Sequence, residues 1–290
     1  MVSEQGLHFQ QYLFRLAIGL GGALLLGGCW GKKSVFSEPS RLNIEGDLSS
    51  LQDTRIRSTV VVRVEYVQNQ RTMSKSCSGV VISDHVVLTA AHCLTFGHKV
   101  TVYAHEEANG DLKQSYPVRF VKFPNQRNFF QTYPSKKKED LAALVLSQSL
   151  DSRFVKSAIL PDLTDKTIQT LMNQPSAPQC GFLFAQTGAG RHGGLDNRHF
   201  KVVLGTSMLL DAEYYTESDG PLIAMLARTD SGDSVGPLFV RNSQGQWTVV
   251  GTLVGLHTDK KTKIVSSLYV PLFDHMEFIA EMLRLSTNVR

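Results

Sequence analysis

Three segments of the 290-residue chain carry residues whose types and spacing suit the cleavage of an acyl bond. The first is Cys77-Ser-Gly-Val-Val-Ile-Ser-Asp-His-Val-Val-Leu-Thr-Ala-Ala-His92-Cys93. A hydrolase that activates a serine hydroxyl needs an imidazole as general base, held rigidly within hydrogen-bond reach. An arbitrary histidine is usually a satisfied core or surface residue, and the surrounding run is what sets His92 apart. The second segment is Thr229-Asp-Ser-Gly232-Asp233-Ser234-Val-Gly236-Pro237. Glycines around a serine permit a tight turn that exposes the hydroxyl and aims backbone N–H groups at one point. Donors so placed stabilise the charge that develops on a carbonyl under attack. A glycine-rich hairpin with an ordinary serine is the competing reading. The third segment is Glu139-Asp140-Leu-Ala-Ala-Leu-Val-Leu146. An acid at the head of an apolar strand can orient an imidazole and stabilise its protonated form, although acid-then-strand is a common pattern. The other histidines, His192 and His199 among them, lack metal-ligand spacing and read as surface loop residues. No metal and no cofactor is implied.

Short strands must position these groups. Thr59–Val67 is rich in β-branched residues and alternates over its second half. Val80–Ile82, Val86–Leu88, Val100–Tyr103, Val118–Val121 and Leu141–Leu146 continue the series. A second set runs through Gly181–Phe184, Phe200–Leu204, Pro237–Val240, Trp247–Val254 and Lys263–Val270. Many short strands with turn signals between them imply an all-β barrel or sandwich. Only the last 20 residues carry a long helical pattern, with Phe273, Met276, Ile279, Met282 and Leu283 recurring on one face. The pattern is two β-rich halves closed by a C-terminal α-helix.

Composition excludes some partners. A net charge of +4 with 19% charged residues gives no basic stripe, so no nucleic acid is expected. The one dense cluster, Lys136-Lys137-Lys138, is followed at once by Glu139 and Asp140 and reads as a solvated loop. The N-terminus differs in kind. Leu16–Gly28 is a 13-residue apolar run after Arg15, too short for a spanning helix and suited to the core of an export signal. Leu26-Gly27-Gly28-Cys29 resembles the bacterial lipobox, which implies lipidation of Cys29 and anchoring to a membrane. Trp30 stands where an aspartate often retains lipoproteins at the inner membrane. The expected location is therefore the bacterial cell envelope, as an outer-membrane lipoprotein, with a periplasmic or secreted product as the alternative. On this reading residues 1–28 are the signal, 29–57 a polar tether and 58–290 the folded domain.

Together the Leu-Thr-Ala-Ala-His-Cys run, the Asp-Leu-Ala-Ala-Leu strand and the Gly-Asp-Ser-x-Gly-Pro turn resemble the chymotrypsin/trypsin family of serine endopeptidases. His92 and Asp140 stand 48 positions apart and Asp140 and Ser234 stand 94 apart, in the family's order. The resemblance implies two six-stranded antiparallel β-barrels with the site in the cleft between them. It implies His92 as base, Asp140 as its orienter, Ser234 as nucleophile and the N–H groups of Gly232 and Ser234 as oxyanion hole. It also implies a Cys77–Cys93 disulfide, and protein or peptide substrates. Val235 departs from the family, which has glycine there, and the partners of its other disulfides are missing; Cys180 sits where one such partner is often seen. No Ile-Val-Gly-Gly activation sequence occurs. Either cleavage after Arg55 or Arg57 frees an amine for Asp233, or Asp233 is satisfied internally. A non-catalytic, protease-like binding or adhesion lipoprotein is the alternative function.

The residue accepted before the scissile bond is expected to be acidic or small. Trypsin has an aspartate six positions before the nucleophile, where this chain has Arg228. If Gly251-Thr-Leu253 forms the pocket wall, Leu256 makes the pocket shallow. If Gly255-Leu-His257 forms it, Thr229 and His257 resemble the glutamate-reading pair of glutamyl endopeptidases.

Overall fold

The computed structural model describes residues 41–43, 54–105, 112–125, 134, 136–173, 178–188, 201–210, 222–225, 236–258 and 265–287. All belong to one compact unit, Ser40–Arg290. A short strand β1 (Arg41–Asn43) and a helical turn α1 (Thr54–Arg57) come first. Then β2 (Thr59–Gln68), β3 (Arg71–Ser83), β4 (Val86–Thr89), β5 (Gly97–His105), β6 (Leu112–Lys122) and β7 (Ala142–Leu146) form a closed barrel in the order β2-β3-β4-β7-β6-β5. The second half supplies β8 (Pro178–Gly188), β9 (Lys201–Leu210), β10 (Leu222–Met225), β11 (Pro237–Arg241), β12 (Trp247–Thr258) and β13 (Val265–Pro271). They pair as β9-β10-β13-β12-β11-β8, and β8 pairs back onto β9, so this sheet also closes, with β1 added along β9. The expected all-β architecture of two antiparallel barrels and a C-terminal helix, α4 (Met276–Thr287), is what forms.

Burial explains why the first-half strands read as apolar runs more than as alternations. Val60, Val62, Val64, Val87, Leu144 and Leu146 fill the first barrel. Their neighbours Val61, Val80, Val86, Leu88 and Val145 face outward onto Phe239 and Val249 of the second sheet and Ile279 and Met282 of α4. Strands covered on both faces gain from apolar residues at every position, at about 25 cal/mol per Å² removed from water. Where β2 leaves this sandwich its residues become progressively exposed, from Glu65 to Gln68. The two-residue turn Asn69-Gln70 then has positive φ at both positions, 51° and 60°. That is the turn whose twist matches a hairpin.

Three local features differ from the sequence expectation. A second helix, α3 (Lys166–Asn173), is too short to show a periodicity, with Ile168 and Leu171 its two buried residues. Asp165 caps it, accepting from the Thr167 N–H at 2.8 Å, and also accepts from the Ser243 N–H at 2.9 Å. The Lys136–Lys138 run is half-buried, and Lys137–Glu139 forms a 3-10 turn against β13.

The fold also begins before Ser58. Ile56 lies in the core that joins the two barrels, the Arg57 guanidinium donates to the Ser152 carbonyl at 2.7 Å, and Arg55 stacks on Trp247 at 4.4 Å. Both bonds considered for activating cleavage therefore lie inside a packed turn. Among the described residues no helix is long and apolar enough to cross a membrane.

Candidate active site

Three strands converge on His92. Strand β4 ends at Thr89, whose buried hydroxyl donates to the Ser78 carbonyl of β3 at 3.1 Å. The chain then turns into α2 (Ala91–Leu94). Ala90 and Ala91 are wholly buried, so the run into the histidine has no room for larger side chains. The same crowding fixes Gly79: a Cβ there would sit 2.7 Å from Val87 Cγ1 and 3.0 Å from Val62 Cγ2. Cys77 on β3 and Cys93 on α2 form a disulfide across 16 positions with a Cα–Cα distance of 6.4 Å. A loop of that length is worth roughly 3 kcal/mol in the chain-entropy account. It fastens the histidine turn to the barrel wall.

Asp140 arrives from the neighbouring strand, just ahead of β7, whose Ala142 pairs with Thr89 of β4. It closes the 3-10 turn Lys137–Glu139, donating its N–H to the Lys137 carbonyl at 3.0 Å. Among the described residues both oxygens of its carboxylate go to the histidine. Oδ1 accepts the backbone N–H of His92 at 2.7 Å, and Oδ2 meets Nδ1 of the ring at 2.7 Å. A carboxylate can only accept, so Nδ1 carries the proton, and in the neutral ring Nε2 then presents the lone pair. The Asp140 side chain is 7% exposed and that of His92 26%, so the acid is enclosed while the ring reaches solvent. Among the described residues, Nε2 meets only the Cys93 Sγ, at 3.5 Å. A disulfide sulfur has no proton to give, so this contact does not occupy the Nε2 lone pair of the neutral ring. For the same reason the cluster Cys77, His92 and Cys93 is no metal site, although its atoms are close enough.

Two further supports had no signature in the sequence. The half-buried Lys75 ammonium donates to the carbonyls of Thr95 at 3.0 Å and His92 at 3.4 Å, at the C-terminal end of α2. Cations favour that end of a helical turn, while burial holds the Lys75 pKa below its usual value. On the acid's side, His275 donates Nε2–H to the Lys138 carbonyl at 3.2 Å. Burial lowers the His275 pKa, partly opposed by that hydrogen bond and aided by the nearby Lys138 ammonium.

The structure thus brings His92, Asp140, Cys77 and Cys93 together. Cys29, Arg228, Thr229, Gly232, Asp233 and Ser234 lie outside the described residues, as do His192 and His199. The chain after the serine is anchored nonetheless, since buried Gly236 accepts the Leu253 N–H of β12 at 3.1 Å. Of the pocket residues, Leu256 is 47% exposed on β12, beyond a register shift between Leu253 and Gly255. The backbone of His257 pairs with Ser266 on β13; its side chain, like that of Cys180, is outside the described set.

Comparison with known proteins decides the family: the trypsin family model matches residues 52–279, most of the chain. The protein belongs to the trypsin family. It is thereby placed among serine proteases, a family that acts on peptide substrates. A search of curated proteins found no match. Among solved structures, the inactivated protease paralogue S-I1 of the scabies mite is similar in fold. The two are 19% identical with a TM-score of 0.57, over 86% of this trypsin-family chain and 99% of the other.

Proposed function

We propose that this trypsin-family protein is an active serine endopeptidase with His92, Asp140 and Ser234 as its triad. The observation that carries the reading is the His92–Asp140 pair, with Nδ1 engaged at 2.7 Å and, among the described residues, no hydrogen-bond donor on Nε2. Nε2 takes the Ser234 hydroxyl proton as Oγ attacks the peptide carbonyl, and the N–H groups of Gly232 and Ser234 hold the resulting oxyanion. The imidazolium, steadied by Asp140, gives its proton to the leaving amine. An acyl-enzyme remains, which water hydrolyses by the same transfers in reverse. A protease-like binding protein without turnover is the competing reading, and the mite neighbour is itself named an inactivated protease paralogue. A fluorophosphonate probe separates the two: the native protein should become labelled at Ser234, and a protein that stays unlabelled is not a serine hydrolase.

The pocket reading follows from residue chemistry. Arg228 in place of an aspartate repels a basic side chain, so acidic or small residues before the scissile bond are proposed. On matched peptides ending in Glu, Ala, Phe and Arg, kcat/KM should be highest for Glu or Ala. Arg as the best substrate would refute this.

Anchoring is proposed through Cys29, supported by the apolar run and the Leu-Gly-Gly-Cys sequence before it. The mature protein should partition into detergent and carry acyl mass on Cys29. An unmodified, water-soluble product beginning elsewhere would contradict it.

A further inference from the structure

His275 lies far from the three segments that carry the chemistry, yet it holds the turn from which the acid projects. Within that turn the carbonyls of Lys136, Lys137 and Glu139 accept from Glu139, Asp140 and Leu141 at 3.0, 3.0 and 2.8 Å. Those bonds fix the turn's shape and not its position. The carbonyl between them, that of Lys138, takes the His275 Nε2–H at 3.2 Å. His275 ends the 3-10 turn Leu272–His275, which continues directly from β13, and β13 itself packs on the acid's turn. Strand β13 pairs with β12, and β12 with β11, which begins three residues after Ser234.

From this geometry we propose that His275 is a positioning residue, tying the Asp140 turn of the first barrel to the sheet of the second barrel that carries the serine's strand. The inference rests on the reading of His92 as base and Asp140 as its orienter. Both Asp140 oxygens already reach His92 at 2.7 Å, so a rigid drift of the turn by about 1 Å breaks the ring contact; misplacement on that scale costs rate without changing what binds. A carbonyl partner requires a donor, and burial keeps His275 neutral with that donor on Nε2.

Three variants of the full chain test the role. His275→Gln places an amide N–H near the position of Nε2; His275→Asn carries the same group one bond short; His275→Phe fills the space without a donor. Two readouts apply: kcat and KM on a cleavable peptide, and the low-field proton resonance of His92 Nδ1–H. Phe and Asn are expected to lower kcat roughly tenfold with KM unchanged, the scale of a lost hydrogen bond transmitted to alignment. They should also shift or broaden the low-field resonance, and Gln should restore both. Wild-type kcat and resonance in folded Asn or Phe variants would overturn the proposal, and so would equal damage in Gln, Asn and Phe. The resonance reads the His92–Asp140 contact whether or not peptide is cleaved. A wild-type protein without turnover would thus refute the peptidase reading while leaving His275 to be judged by the resonance.

Discussion

Replacing Ser234 by alanine is expected to lower kcat for a cleavable peptide by roughly 10⁶-fold, with KM little changed. The hydroxyl is the atom that bonds to substrate, and no neighbour can replace it. His92→Ala should cost about as much, because without Nε2 the hydroxyl keeps its proton. The double variant should be scarcely worse than either single one, since two groups that act as a unit cannot be lost twice. Steady-state kinetics on the three purified proteins, with circular dichroism to confirm folding, provide the measurement. Near-native cleavage by Ser234→Ala would end the triad assignment.

Asp140→Asn should lower kcat by roughly 10⁴-fold, the size known for this exchange in the trypsin family. The geometry here says why. Asp140 accepts two N–H groups at once, the His92 backbone through Oδ1 and the ring through Oδ2. An asparagine has one acceptor and one donor end. If its oxygen keeps the backbone N–H, its amide faces Nδ1, which must then give up its proton. The ring shifts to the tautomer protonated on Nε2, and the base is gone while the shape is kept. Activity within tenfold of the wild type would contradict this account.

Much of the frame was legible because its causes are local. Val80–Ile82, Val86–Leu88 and Leu141–Leu146 announce strands, and their lack of alternation has its reason in burial on both faces. His92 and Asp140 were legible because each sits in a run whose other members are constrained: Ala90 and Ala91 by a core with no spare volume, Leu141 to Leu146 by the barrel wall. The helix α3 was not legible, since its eight residues hold two buried positions and its cap binds Ser243, 78 positions away. The lysine run looked solvated because a sequence displays charges and hides the carbonyl that another element needs.

What the sequence determined by itself is the chemistry: which side chains can accept, donate or attack, and the β-rich, two-part texture of the chain. What only the tertiary structure decided is their alignment. Nδ1 rather than Nε2 faces the carboxylate, Cys77 closes on Cys93 so that neither sulfur can bind a metal, and Lys75 and His275 end on carbonyls 17 to 20 and 137 positions away. Side chains advertise their reactivity in the sequence, but a backbone carbonyl is the same at every residue. Which one receives a lysine or a histidine is fixed only when distant strands are brought to hydrogen-bond distance.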